Sequence, residues 1–231
     1  MNDLHAKDNI VTRSVKVETS VLRRNDQAAL ANRQLLTERG IVALNLISSP
    51  GSGKTTLLEV TLVRMRERGK RCAVIVGDQQ TDLDAQRLYG KGAPVRQIET
   101  VSSCHLDAQR VGDVLPEVID DQTELLFIEN VGNLICPAAF NLGEDFKVVL
   151  LSVTEGEDKP IKYPVVFSRA KVVLITKCDL IPHIEFDRDK CLRYLRQVNP
   201  GAVIFELSAK TGTGFEQWIG YLAELGRQDE R

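Results

Sequence analysis

The sequence predicts an α/β fold in which a mostly parallel sheet is covered by helices on both faces. Three observations lead there. Short, nearly unbroken apolar runs at 125–128, 148–153 and 172–175 have strand length but none of the polar alternation of a half-exposed sheet, so both their faces are buried. Stretches with helical spacing separate them, and strands alternating with helices build parallel sheets. A further apolar run, 41–47, passes directly into a Gly-rich turn that opens a helix.

Taken in order, residues 1–18 are polar and irregular and read as a loose arm. Residues 20–39 carry Val21, Ala28 and Leu35 on one row and Leu22, Ala29 and Leu36 on the next, a helical spacing, with Gly40 as the stop signal. This helix is expected to pack on the main domain. Strand 41–47 is followed by a helix over 54–68, a strand at 72–76 and helical stretches near 82–89 and 105–115. After the central strands come a last strand at 202–207 and a closing helix at 214–225. No repeat, low-complexity tract or Pro-rich linker divides the chain. The expected organisation is an N-terminal arm and helix over 1–40 and one domain over 41–231 that carries the chemistry.

A chain of 231 residues buries one sizeable core. Its formal charge of −2, from 30 basic and 32 acidic residues, gives no reason to expect nucleic acid or an anionic membrane as partner. An aromatic content of 5% argues against single-strand stacking platforms. No run approaches the ~20 apolar residues a bilayer crossing needs, and the N-terminus lacks an apolar signal-peptide core. The expected compartment is the cytoplasm. There the five cysteines are reduced thiols or metal ligands rather than a disulfide framework.

Ser48-Ser49-Pro50-Gly51-Ser52-Gly53-Lys54-Thr55 lies between a strand and a helix, the context a phosphate-binding loop needs. Its glycines let backbone N–H groups turn toward phosphate oxygens, and the helix N-terminus adds partial positive charge. Lys54 is the β/γ-phosphate cation. Thr55 offers a hydroxyl to Mg²⁺, and Thr56 follows in the first helical turn. Ser48 departs from the pattern, standing where the first Gly of GxxxxGK[ST] is usual. The expected fold is therefore P-loop NTPase-like.

Three later segments narrow the base to guanine. Glu129-Asn130-Val131-Gly132 has an acid at a strand end and a Gly three residues on, the layout of a nucleotide-sensing switch. Thr176-Lys177-Cys178-Asp179 follows a strand and resembles the NKxD guanine-reading motif, with Thr176 in place of Asn. The Asp179 carboxylate would accept from guanine N1–H and N2–H, a donor pair adenine lacks. Ser208-Ala209-Lys210 follows the last strand and resembles the SAK loop that supports the base. Asp78, at the end of strand 72–76, is a further candidate for Mg²⁺, with Asp82 and Asp84 as alternatives; Asp84 reads better as helix N-terminal charge. Gln79 and Gln80 are candidates for positioning water. No arginine finger is evident, so intrinsic turnover is expected to be slow.

Cys104 and His105 stand at an expected helix start, and Cys136 follows the switch-like segment. Thiol and imidazole together suit Ni²⁺, Zn²⁺ or Cu. Without a CxxC pair, burial as small apolar residues is equally open to these cysteines. Cys136 is close enough to Glu129–Gly132 for loss of a γ-phosphate to move it. Cys72, Cys178 and Cys191 read as packing residues, and His5 and His183 are assigned no role.

SSPGSGKTTLL, GDQQTDLDA, CHLDA, ENVGNLICPA, EGEDKPIKYP, TKCDL and SAKTGTG occur in this order. Together they resemble the HypB-type hydrogenase nickel-incorporation GTPases of the SIMIBI class, over about residues 41–225. The resemblance implies a GTPase metallochaperone that hydrolyses GTP to GDP and phosphate and helps deliver nickel to the large-subunit precursor of [NiFe] hydrogenase. It implies a homodimer favoured by GTP, a HypA-type nickel accessory protein as partner, and Cys104, His105 and Cys136 as a dimer-interface site for Ni²⁺ or Zn²⁺. Lys54, Asp78 and Glu129 are the expected catalytic set, and Thr55, Asp78 and Glu129 the expected Mg²⁺ set. Lys159 or Lys162 would act on the partner's phosphates. Some family members carry a Cys-rich or His-rich nickel tract near the N-terminus. Residues 1–40 here hold no Cys and one His, so no separate nickel store is expected there. A urease-type nickel GTPase, a P-loop small-molecule kinase and a nickel-binding module with a structural nucleotide are the rival readings.

Overall fold

A computed structural model describes residues 22–78, 82–100 and 104–225. The arm over 1–18, His5, Gln79 and Gln80 lie outside the described residues.

Seven strands form one parallel sheet: β1 (Val42–Ser48), β2 (Cys72–Asp78), β3 (Val95–Glu99), β4 (Leu125–Glu129), β5 (Phe146–Ser152), β6 (Ala170–Thr176) and β7 (Val203–Glu206), in the order β3-β2-β4-β1-β5-β6-β7. The sheet is parallel throughout. β1 is central because both its faces are buried, Leu44 and Leu46 on one side and Ala43 and Ile47 on the other. The sequence reading missed β3. Only Val95 and Ile98 of this edge strand are buried, so it has little apolar signal.

Helices clothe both faces. α2 (Lys54–Glu67), α3 (Leu83–Leu88) and α9 (Phe215–Glu224) cover one, where Leu58, Met65, Phe215 and Trp218 are fully buried. Burial of each such side chain contributes about 1.5–3 kcal/mol. The indole N–H of Trp218 donates to Thr61 Oγ1 at 3.1 Å, so the buried polar atom is satisfied. On the other face lie α1 (residues 22–38 described) and α4 (Ala108–Val118), then α7 (Pro164–Ser168) and α8 (Arg188–Val198). Two four-residue helices, α5 (Cys136–Ala139) and α6 (Lys159–Lys162), interrupt the long connections.

α1 ends where Gly40 adopts φ 65° and Ile41 N–H bonds Leu36 O at 2.9 Å. Its buried face is Asn25, Ala29, Asn32 and Leu36. Ala29 and Leu36 were legible as apolar. The asparagines between them were not, because hydropathy scores them as surface. The helix expected from 105 begins at Ala108 instead, with Asp107 as N-cap accepting from Arg110 N–H at 2.9 Å. Cys104 and His105 therefore precede the helix on a bend. Among the described residues, no helix is long and apolar enough to cross a membrane.

Candidate functional site

The C-terminal ends of β1, β2, β4, β6 and β7 open onto one edge of the sheet, where ligands of open parallel sheets bind. Two adjoining cavities lie there, of about 500 and 270 Å³, sharing Gly53, Thr56 and Lys177. Every residue expected to touch nucleotide lines one or the other. Pro50, Gly51, Lys54 and Thr55 face the larger, with Asp78, Asp84 and Glu129 opposite. Ser52, Asp179, Ser208, Ala209 and Lys210 face the smaller.

On the phosphate side, Gly51 (φ 72°) and Gly53 (φ 95°) take left-handed conformations that a side chain would strain. Gly53 caps α2 without a side-chain bond, so the helix N-terminal N–H groups are not claimed by a capping side chain. Lys54 is buried and its Nζ donates to Ser48 Oγ at 3.0 Å; Ser48 Oγ donates to Ser49 O at 2.6 Å. The serine at the departing position thus lies beneath the loop and holds the lysine. Burial pulls the Lys54 ammonium below its usual pKa, against the carboxylates of Glu129, Asp84, Glu155 and Asp78.

Glu129 closes the floor. Thr55 Oγ1 donates to its Oε1 at 2.8 Å, while its Oε2 is buried with no hydrogen-bond partner. Burial pushes this carboxyl up to about 7, with Lys54 and Thr55 acting the other way. An orphaned buried oxygen beside a threonine hydroxyl is what a hard cation needs, so the donor set fits Mg²⁺. Asp84 lies in the first turn of α3, as expected of a helix-end charge, pairs with Arg87 at 3.8 Å and also lines this cavity. Gly132 packs closely on Pro50: a Cβ there would stand 3.0 Å from Pro50 Cα, tighter than an ordinary contact. The switch-like segment therefore lies directly on the phosphate loop.

In the smaller cavity, Ser208 Oγ donates to Asp179 Oδ1 at 2.6 Å, which fixes the carboxylate where it lines the pocket. Thr176, in place of the usual Asn, donates from Oγ1 to Ser52 O at 2.8 Å, and Lys177 Nζ to Gly51 O at 2.6 Å. Both tie the Thr176–Asp179 segment to the Gly-rich loop. Lys177 is the one described non-glycine residue with positive φ, at 60°. Burial pushes Cys178 up to about 11 and Cys72 and Cys191 to about 12, which keeps these thiols protonated.

The third cluster lies beyond the end of β4. One ligand atom each from Cys104, His105 and Cys136 fall within 4.8 Å of one another, all three residues half-buried. Cys104 Sγ and His105 Nδ1 are 3.6 Å apart. A hydrogen bond with Cys136 raises the Cys104 thiol, and burial lowers His105, favouring the neutral imidazole that can ligate. The His105 ring lies 3.8 Å from that of Phe140, and Asn133 Nδ2 donates to Cys104 O at 3.3 Å. Two thiols and an imidazole could hold a borderline or soft divalent ion and leave a position open.

A family model described as the CobW/HypB/UreG nucleotide-binding domain matches residues 42–206. The hydrogenase maturation factor HypB of Escherichia coli K12 is 50% identical over 218 residues, covering 94% of this chain and 75% of that one. The chain belongs to the HypB family. The crystal structure of HypB from Archaeoglobus fulgidus matches with a TM-score of 0.83 at 39% identity, covering 89% of this chain and 100% of that one. HypB from Helicobacter pylori in complex with nickel matches with a TM-score of 0.82 at 37% identity, covering 90% and 97%. The curated H. pylori protein is named a hydrogenase/urease maturation factor and is 37% identical over 98% of this chain and 94% of its own length.

The contacts made by Glu155, Arg87 and Asn130 in this HypB-family site were not read from the sequence, although the segments around Glu155 and Asn130 were. Glu155, in EGEDKPIKYP, accepts from Ser52 Oγ at 2.6 Å, so this segment holds its own phosphate loop. Lys159 turns back to Glu155 Oε2 at 3.6 Å, and Lys162 pairs with Asp158 at 2.7 Å. Arg87 reaches the phosphate cavity from α3, donating to Thr56 Oγ1 at 2.8 Å. Asn130 is fully buried: its Oδ1 accepts from Leu106 N–H at 3.2 Å and Val131 N–H at 3.0 Å, and its Nδ2 donates to Asn45 Oδ1 at 3.2 Å. An acidic or basic residue beside a known motif gives a weak signal for the first two. A buried asparagine gives none.

Proposed function

We propose that the protein is a GTP-hydrolysing metallochaperone that couples nucleotide state to nickel delivery during maturation of [NiFe] hydrogenase. One observation carries this reading. The segment from Glu129 to Cys136 has one end bonded to the phosphate-loop Thr55 and the other in the thiol–imidazole cluster. Family membership and the nickel-bound H. pylori relative support it.

In this reading Asp179, oriented by Ser208, selects guanine, and Ala209 and Lys210 line the same pocket. Pro50, Gly51, Ser52, Gly53 and Thr56 enclose the phosphates. Lys54 leaves Ser48 for the β- and γ-phosphates, a short move for a flexible side chain already at the loop. Thr55, Glu129 and Asp78 would hold Mg²⁺, which neutralises phosphate charge when bound. Glu129 also carries the change at the γ-phosphate to Asn130, whose amide holds Leu106 next to His105. Cys104, His105 and Cys136 take nickel as cargo, or zinc at the same place. A dimer favoured by GTP would complete the ligand shell. A HypA-type accessory protein and the hydrogenase large-subunit precursor are the expected partners, in the cytoplasm. The H. pylori relative's name gives one reason to keep urease as a second target.

The test is Ni²⁺ binding with GDP and then with a non-hydrolysable GTP analogue, read together with dimer mass. Stoichiometry or affinity should depend on the nucleotide and be lost in Cys136→Ala. Binding indifferent to both would place the metal role with partner proteins.

A further inference from the structure

The metal cluster draws its ligands from two segments far apart in sequence, one with Cys104 and His105, the other with Cys136. Both are held from a single helix. Ala108 N–H donates to Asn25 Oδ1 at 2.9 Å, and Asn25 Nδ2 donates to Asn141 O at 2.8 Å. Asn32 Nδ2 donates to Ala108 O at 2.7 Å and to Leu142 O at 2.9 Å. Each asparagine of α1 therefore bonds both segments. Phe140, next to Asn141, is the ring packed on His105, so the second segment reaches back to a ligand of the first.

Steric fit gives a second, independent sign. A Cβ on Gly143 would stand 2.6 Å from Asn32 Cβ and 3.0 Å from Ala29 O, and a Cβ on Gly112 would stand 2.6 Å from Asn32 Oδ1. Glycine at both places lets α1 sit directly on the first segment's helix and the second segment's loop. The contacts are also buried, with Asn25 and Asn32 at 7% and 6% exposure.

We propose that Asn25 and Asn32 are positioning residues for the Cys104–His105–Cys136 site: they staple together the two segments that supply its ligands. The inference rests on the metal reading above. Neither amide reaches a ligand atom, so the effect passes through the backbone at Ala108 and at Asn141–Leu142. A set of only three ligands depends on being held in place before the ion arrives, since otherwise binding must also order the two segments. Asn25 accepts from one segment while donating to the other, and Asn32 donates to both; alanine can do neither, and an ionised aspartate cannot donate.

The experiment is a Ni²⁺ titration of the full chain with saturating GDP, followed by thiolate-to-nickel charge-transfer absorbance, with GDP affinity measured in parallel. Asn25→Ala and Asn32→Ala should each weaken Ni²⁺ binding at least tenfold and shift the charge-transfer band, with GDP affinity within twofold of the parent. Parent-like Ni²⁺ affinity in these variants, or an equal loss of Ni²⁺ and GDP binding, would overturn the staple. Should Asn32→Ala not fold, Asn25→Asp keeps the acceptor for Ala108 N–H and removes the donor to Asn141 O. The same weakening is expected from it, and parent-like affinity again overturns the inference. Cys136→Ala separates the two levels. If it retains nickel, the site reading itself fails; if it loses nickel while the asparagine variants do not, only the staple fails.

Discussion

The nucleotide half and the metal half of this molecule are built in different ways. Lys54, Thr55, Asp179 and Ser208 sit within a few residues of the ends of β1, β6 and β7, and most of their contacts are made among the loops those strands present. Strand order and short turns suffice to place them. Cys104, His105 and Cys136 sit on a bend and at the start of a four-residue helix, which have little rigidity of their own. Their positions come from Asn25, Asn32, Asn130 and Asn133, whose side-chain bonds to these segments cross 24 to 116 residues of sequence. A site on strand ends inherits the stiffness of the sheet. A site on loops must borrow it, and what is borrowed can be changed by a switch.

Three substitutions probe that division, from the largest expected effect to the smallest. Asp179→Asn removes a carboxylate that would accept two hydrogen bonds from guanine, each charge-assisted and contributing about 1.5–3 kcal/mol. GTP affinity should fall ~100-fold, with nucleotide-free Ni²⁺ affinity unchanged, as read by fluorescence competition and metal titration. Unaltered GTP binding would remove the guanine assignment. Asn130→Ala lies at the junction. It leaves the buried Leu106 and Val131 N–H groups without their acceptor, at about 1–3 kcal/mol each. A lowered melting temperature and Ni²⁺ affinity that no longer responds to GTP are expected. Full retention of the nucleotide response would show that coupling runs elsewhere. Ser48→Gly should do least. It restores the usual glycine and frees Lys54 from its hydroxyl, at a backbone entropy cost of at most about 0.5–1 kcal/mol at the last residue of β1. Hydrolysis measured by phosphate release should change less than ~3-fold; abolition would show that the serine is part of the phosphate loop's working geometry.

The sequence was most legible where one physical signal dominated. β1, β4, β5 and β6 showed as apolar runs because both their faces are buried, and the phosphate loop showed because glycine, lysine and hydroxyl must follow one another there. β3 was illegible for the opposite reason, an edge strand whose few buried side chains make no pattern. The start of α4 was misjudged because hydropathy runs past its N-cap, Asp107, whose capping bond is a side-chain event.

By itself, then, the sequence determined the α/β class, the Gly-rich strand–loop–helix and the order of the nucleotide motifs, and local spacing and residue chemistry carry these; Cys104, His105 and Cys136 were named as candidate ligands by resemblance to a family. Only the tertiary structure decided that the ligands converge within 4.8 Å, that Glu129 keeps one oxygen without a partner, and that buried asparagines of α1 bind the two metal-bearing segments to each other. A hydrogen bond across a hundred residues leaves no periodicity in a chain, and an asparagine reads as surface until the fold surrounds it.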